Sequence, residues 1–143
     1  MTNVMAVDDS PSMRAIVTSV IECVGYDPIV ATSGEEALKV FTQEQIDIAV
    51  LDVELPGMNG FEVCRKLREM SANNWFPVIY LSSSRSDAHS VEGLEAGGDV
   101  YFTKPINPQS RESILRAMGR IAEMKNAFAK ANKEPEIMAH YDG

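Results

Sequence analysis

Asp8 and Asp9 follow the apolar run Val4-Met5-Ala6-Val7, Asp52 follows Ile48-Ala49-Val50-Leu51, and Lys104-Pro105 follows Val100-Tyr101-Phe102. If these runs are parallel strands of one sheet, three carboxylates and one ammonium meet at a single edge. Carboxylates are hard oxygen donors, and a crevice so composed balances its charge with a divalent cation. A site of that kind binds phosphate through the metal. Ser82, just past Val78-Ile79-Tyr80-Leu81, supplies a hydroxyl at the same edge.

Those residues can meet only if strands and helices alternate along the chain. Ser10-Pro11 reads as a helix cap followed by proline at the first helical position, and Met13, Ile16, Val17, Val20, Ile21 and Val24 follow at helical spacing until Gly25. Asp27 to Ala31 reads as a short strand whose Pro28 suits an edge or a first position, because proline cannot donate to a ladder. Ser33-Gly34-Glu35-Glu36 opens a second helix, with Ala37, Leu38, Val40 and Phe41 on its apolar side. Ile48 to Leu51 is continuously apolar, as expected of a central strand buried on both faces. Pro56-Gly57 suits the middle of a type II turn, and Phe61, Val63, Cys64 and Leu67 resume helical spacing.

After the strand that ends near Leu81, a helix from about Ser86 to Ala96 contains Gly93, which costs about 1 kcal/mol against alanine and predicts a marginal, movable element. A last strand near Val100 to Phe102 and a last helix after Asn107-Pro108 complete five strands alternating with five helices. Right-handed crossovers then lay helices on both faces of the sheet. The fold class is α/β, a doubly wound five-stranded parallel sheet of flavodoxin-like (βα)5 type. Ligands of such sheets bind beyond the carboxyl ends of the strands, where Asp8, Asp9, Asp52, Ser82 and Lys104 all fall.

The 143 residues, 45% of them hydrophobic, suffice for one core. Thirteen basic against 21 acidic residues leave a net charge of −8, a field that repels phosphate backbones and anionic lipid and argues against direct nucleic-acid or membrane binding. Cys23 and Cys64 stand far apart with no metal-ligand spacing and read as reduced, packed thiols. The N-terminus has no signal-peptide pattern and no apolar stretch approaches ~18 residues, so a cytoplasmic protein is expected. His89 and His140 have no acid or cysteine partner nearby in sequence and receive no function.

The order Asp-Asp, Asp, Ser, Lys-Pro after strands one, three, four and five resembles the receiver domain of bacterial response regulators, over roughly residues 3 to 121. Val7-Asp8-Asp9-Ser10, the stretch Leu51 to Gly60, Glu95-Ala96-Gly97-Gly98-Asp99 and Tyr101-Phe102-Thr103-Lys104-Pro105 carry the likeness together. The resemblance implies strand order 2-1-3-4-5 and a phosphoacceptor, Asp52, that takes a phosphoryl group from a histidine kinase or phosphotransfer protein. It implies Mg²⁺ held by Asp8, Asp9, Asp52 and the backbone carbonyl of Glu54. Ser82 and Lys104 would contact the phosphoryl group, and Ser82 and Tyr101 would form the switch that reshapes the surface of the fourth helix, the last strand and the last helix for an output domain, an effector or a second copy in a homodimer. Such a domain is a signalling module and not a turnover enzyme. The Glu54 side chain stands where receivers carry a residue that influences hydrolysis of the acyl phosphate.

Two rivals share the sheet. A haloacid-dehalogenase-like phosphatase also forms an aspartyl phosphate, but it wants Asp-x-Asp where residues 52 to 54 read Asp-Val-Glu. A flavin carrier binds phosphate at its first loop, where Asp8-Asp9 would repel it. Residues 1–121 form the expected receiver, and 122–143 a helical extension and flexible tail, because Ile114, Ala117, Ile121, Met124, Phe128 and Ala131 continue a short heptad seam past the domain.

Overall fold

The computed structural model describes residues 2–72, 74–84, 86–104, 112–113, 115–121 and 123–124. In chain order these form β1 (Asn3–Val7), α1 (Pro11–Cys23), β2 (Asp27–Ala31), α2 (Gly34–Gln43), β3 (Ile48–Asp52), α3 (Gly60–Ser71), β4 (Val78–Ser82), α4 (Asp87–Glu95) and β5 (Val100–Thr103). The described residues between 112 and 124 are helical and are called α5. The five strands are parallel and lie in the order β2-β1-β3-β4-β5.

The unbroken apolar runs are explained by the two faces they serve. Met5, Val7, Ala49, Leu51, Val78 and Tyr80 point to one face and pack with Ala37 of α2 and with Phe61, Val63, Cys64 and Leu67 of α3. Their neighbours Val4, Ala6, Ile48, Val50, Ile79 and Leu81 point to the other, against Val17, Val20 and Ile21 of α1 and Leu115 of α5. Side chains alternate across a strand, so a strand covered on both sides has no polar position to spare. β3 and β4 are buried at all five residues each, as expected of strands inside the sheet.

Local chemistry sets the helix starts. The Ser10 hydroxyl accepts from Met13 N at 3.3 Å with Pro11 at the first helical position, and Ser33 accepts from Glu36 N at 3.1 Å to open α2. Asn59 and Glu62 form a reciprocal capping box at α3. Gly25 takes φ +87 just beyond α1, and Gly57 takes φ +76 in the loop after β3, as its place behind Pro56 requires. That loop closes through Gly60 N donating to Val53 O at 3.1 Å.

β2 lies at the sheet's edge, and Pro28 therefore sits where an edge strand tolerates it. Gly93 has a packing role that helix propensity does not show. It is buried, a Cβ there would meet Tyr80 Cε2 at 2.8 Å and Phe61 Cε1 at 3.0 Å, and its carbonyl accepts from the Tyr80 hydroxyl at 2.8 Å. The glycine is a point of close contact between α4 and the sheet. α4 turns Val91 and Leu94 outward, each 53% exposed.

At the opposite end of the sheet from the acidic loops, Arg68 of α3 donates to Gly97 O (2.9 and 2.7 Å) and Phe76 O (2.6 Å) and pairs with Asp99 at 3.0 Å. Its guanidinium lies 4.7 Å from the centre of the Phe76 ring. Of the heptad seam, Ala117, Ile121 and Met124 are described, and Ile121 and Met124 are exposed. Ile114, Phe128, Ala131, the start of the last helix, Pro105 and His140 lie outside the described residues.

Candidate functional site

Parallel pairing puts the carboxyl ends of β1, β3, β4 and β5 side by side, and the acidic and basic residues beyond them converge. Asp8, Asp9 and Asp52 each offer a carboxylate oxygen within 4.8 Å of the others. Asp8 and Asp52 are buried, whereas Asp9 is exposed. Lys104 Nζ lies 3.3 Å from Asp52 Oδ1 and 3.6 Å from Asp8 Oδ2. One ammonium thus bridges two buried carboxylates that repel each other.

The loops fix these groups through their own backbone. Asp8 Oδ1 accepts from Ser10 N at 2.9 Å, and the Asp8 carbonyl accepts from Arg14 Nη1 at 2.8 Å. Asp52 Oδ1 accepts from Glu54 N at 3.1 Å. Gly60 lets α3 start hard against β3: a Cβ there would fall 2.5 Å from Asp52 O and 2.9 Å from Val53 Cα. Asp8 Oδ2 is buried without a hydrogen-bond partner. A buried carboxylate oxygen that takes no hydrogen bond and has only the Lys104 ammonium near it, beside two further carboxylates, is a donor set that fits a hard divalent cation.

Charge crowding shifts the ionisation of the site's groups. Burial, and then the Asp8 carboxylate, push Asp52 up to about 6, with Lys104 pulling partly the other way. Burial works against the Lys104 ammonium, but Asp52 and Asp8 outweigh it and raise its pKa.

Ser82 is fully buried at the end of β4, and its hydroxyl donates to Glu54 Oε2. Glu54 Oε1 accepts from Ser83 N at 2.9 Å and Ser83 Oγ at 3.2 Å. Partial burial opposes the charge of Glu54, yet these bonds from Ser82 and Ser83 prevail and hold its carboxyl below the ordinary range. Tyr101 is half-buried against Phe61 and Tyr80, and its hydroxyl donates to Ser84 O at 3.1 Å. The site residues expected from sequence thus all stand at one end of the sheet. Sequence reasoning missed the Glu54 carboxylate as the partner of Ser82 and Ser83. It also missed His89, whose Nδ1 lies 2.6 Å from Ser84 Oγ. Only the five-residue step from Ser84 into the first turn of α4 hinted at that second contact.

Residues 4–116 match the model of the response regulator receiver domain, and the chain belongs to that family. It is 39% identical over 121 residues to the alkaline phosphatase synthesis transcriptional regulatory protein PhoP of Bacillus subtilis, covering 85% of this chain and 50% of that protein. It is 34% identical over 139 residues to the DNA-binding response regulator MtrA of Mycolicibacterium smegmatis, covering 96% and 60%. The chain spans about half the length of the curated relatives it matches. Among solved structures, chemotaxis protein CheY4 of Vibrio cholerae superposes with TM-score 0.77 at 32% identity, over 82% of this chain and 98% of that one. The BeF3-activated DrrB receiver domain does so with TM-score 0.75 at 31%, over 84% and 98%. The chain is a receiver of two-component signalling, and the phosphatase and flavin-carrier readings fall away. Among the described residues no helix is long and apolar enough to cross a membrane.

Proposed function

We propose that Asp52 is the phosphoacceptor of this receiver. The observation that carries the reading is the bridge from Lys104 Nζ to Asp52 Oδ1 and to the Asp8 Oδ2 that takes no hydrogen bond. An Asp52 carboxylate oxygen forms an O–P bond while the N–P bond of a kinase's or phosphotransfer protein's phosphohistidine breaks. The imidazole leaves with the electron pair and takes up a proton. Asp8, Asp9, Asp52 and the backbone carbonyl of Glu54 would hold Mg²⁺, which supplies positive charge against the transferring phosphoryl oxygens. Lys104 neutralises the growing charge on the acceptor side, and its raised pKa keeps it protonated for that duty. Ser82, at the end of the strand beside Asp52, is the hydroxyl that would turn to the product, and Tyr101 would report its movement through the Ser84 carbonyl.

The output is a changed α4-β5-α5 surface, on which the exposed Val91 and Leu94 offer apolar contact to an effector, an output domain or a second copy. The extension expected over residues 122–143 lies, apart from 123–124, outside the described residues. The curated relatives include proteins named as DNA-binding or transcriptional regulators. The expectation of no nucleic-acid contact therefore narrows to the acidic surface of this domain, with DNA a target for any output domain it controls. The domain works in the cytoplasm as a switch, and its only chemistry is the gain and loss of its own phosphoryl group.

Incubation with acetyl phosphate and Mg²⁺ tests the reading. A hydroxylamine-sensitive label on Asp52, lost in Asp52→Asn and in excess chelator, is expected. A label that persists in Asp52→Asn would end it.

A further inference from the structure

The Ser82 hydroxyl has one proton to give, and it is given to Glu54. The same oxygen accepts from Ser84 N at 3.0 Å. Glu54 meanwhile collects the amide and hydroxyl of Ser83 on its other oxygen. A single exposed glutamate, two residues past Asp52, thus takes three donors from consecutive positions at the start of the β4–α4 loop. The loop is tied onward in series, from Ser84 Oγ to His89 Nδ1 at 2.6 Å and from Ser84 O to the Tyr101 hydroxyl at 3.1 Å. Ser82 cannot donate to a phosphoryl group and to Glu54 at once.

We propose that Glu54 is a positioning residue that latches Ser82 and Ser83 away from Asp52 and thereby raises the threshold for switching. The proposal rests on Asp52 being the phosphoacceptor. A phosphoryl group there competes for the Ser82 proton and repels the Glu54 carboxylate by like charge. When the latch opens, Ser83 loses its carboxylate partner, Ser84 is freed to move with it, and the Tyr101 hydroxyl loses the fixed acceptor that holds it in place. Glu54 touches none of the reacting atoms through its side chain and acts through Ser82 and Ser83, with a smaller through-space effect of its charge on Lys104.

The test uses the full chain with Mg²⁺ and beryllofluoride as a phosphoryl mimic, with affinity measured by titration and the Ser83 and Ser84 amides followed by NMR. Glu54 is exposed, so its variants retain the fold. Glu54→Ala is expected to tighten beryllofluoride binding on the order of tenfold, the scale of one charge-assisted hydrogen bond. It should also move the Ser83 amide resonance in the ligand-free chain. Glu54→Gln, which keeps an acceptor oxygen without the charge, should fall between. In a Ser82→Ala background the gain from Glu54→Ala should shrink to the small effect of removing one negative charge. Equal gains with and without the Ser82→Ala substitution, or an unmoved Ser83 amide, would overturn the latch and leave simple charge repulsion. Failure of the unaltered chain to bind beryllofluoride overturns the phosphoacceptor reading itself, and the latch with it.

Discussion

Asp52 shares one ammonium with Asp8, and the sharing has a sign that can be measured. Its carboxyl is pushed up to about 6 by burial and by Asp8, against roughly 3.9 in an unfolded chain. The folded state therefore keeps this proton to higher pH than the unfolded state does. Ionised Asp52 weighs against folding above about pH 6, and the penalty is relieved as pH falls through 6 toward about 4. In chelator, Asp52→Asn should stabilise the chain by on the order of 1 kcal/mol at pH 7.5, allowing for solvent screening, with the gain fading by about pH 4.5. Denaturant titrations at the two pH values check it, and a gain independent of pH would remove burial and Asp8 as the cause. Asp8, Asp9, Asp52 and Lys104 were legible beforehand because each sits at a fixed step past an apolar run. The carboxylate of Glu54 was not. Its partners lie 28 and 29 residues away on another strand's loop, and a loop glutamate carries no periodic signal that points to them.

Among the elements, α4 shows how a correct local rule gives way to packing. Helix propensity alone predicts that Gly93→Ala stabilises the chain by about 1 kcal/mol. The added Cβ would instead press on the Tyr80 and Phe61 rings, an overpacking that costs roughly 1–3 kcal/mol in a filled core. Packing should win, and thermal unfolding of Gly93→Ala should show a lower midpoint. A raised midpoint would restore the reading of Gly93 as a mere weak point in the helix. The start of α4 was foreseen at Ser86 and observed at Asp87, because caps and turn residues act locally and are written in order. What Gly93 faces was hidden, since Tyr80 and Phe61 come from β4 and α3, and only the folded sheet brings three elements onto one residue.

For the whole molecule, site and fold are coupled through the repulsion at the strand ends. A divalent cation bound by Asp8, Asp9 and Asp52 stabilises only the folded chain, so Mg²⁺ at a hundredfold excess over its Kd should add about 2.7 kcal/mol. Chelator should reverse the gain, and Asp9→Asn should diminish it; an unfolding midpoint indifferent to Mg²⁺ would speak against the metal site. The alternation of strands and helices was readable from periodicity, but the order β2-β1-β3-β4-β5 was not, because pairing between distant segments leaves no local trace. It followed from the order of the site residues and the family they resemble. The sheet's β2 margin bears on the molecule's solubility. Asp27 N donates to Thr2 O, and Ala31 O accepts from Asp8 N, so residues 27, 29 and 31 of β2 face β1 while Pro28 and Val30 face outward. Proline has no amide to offer, which leaves Val30 alone with an outward N–H. A stray strand seeking to extend the sheet meets one donor where a regular edge would offer two, so the proline weakens that side as a template for adding strands.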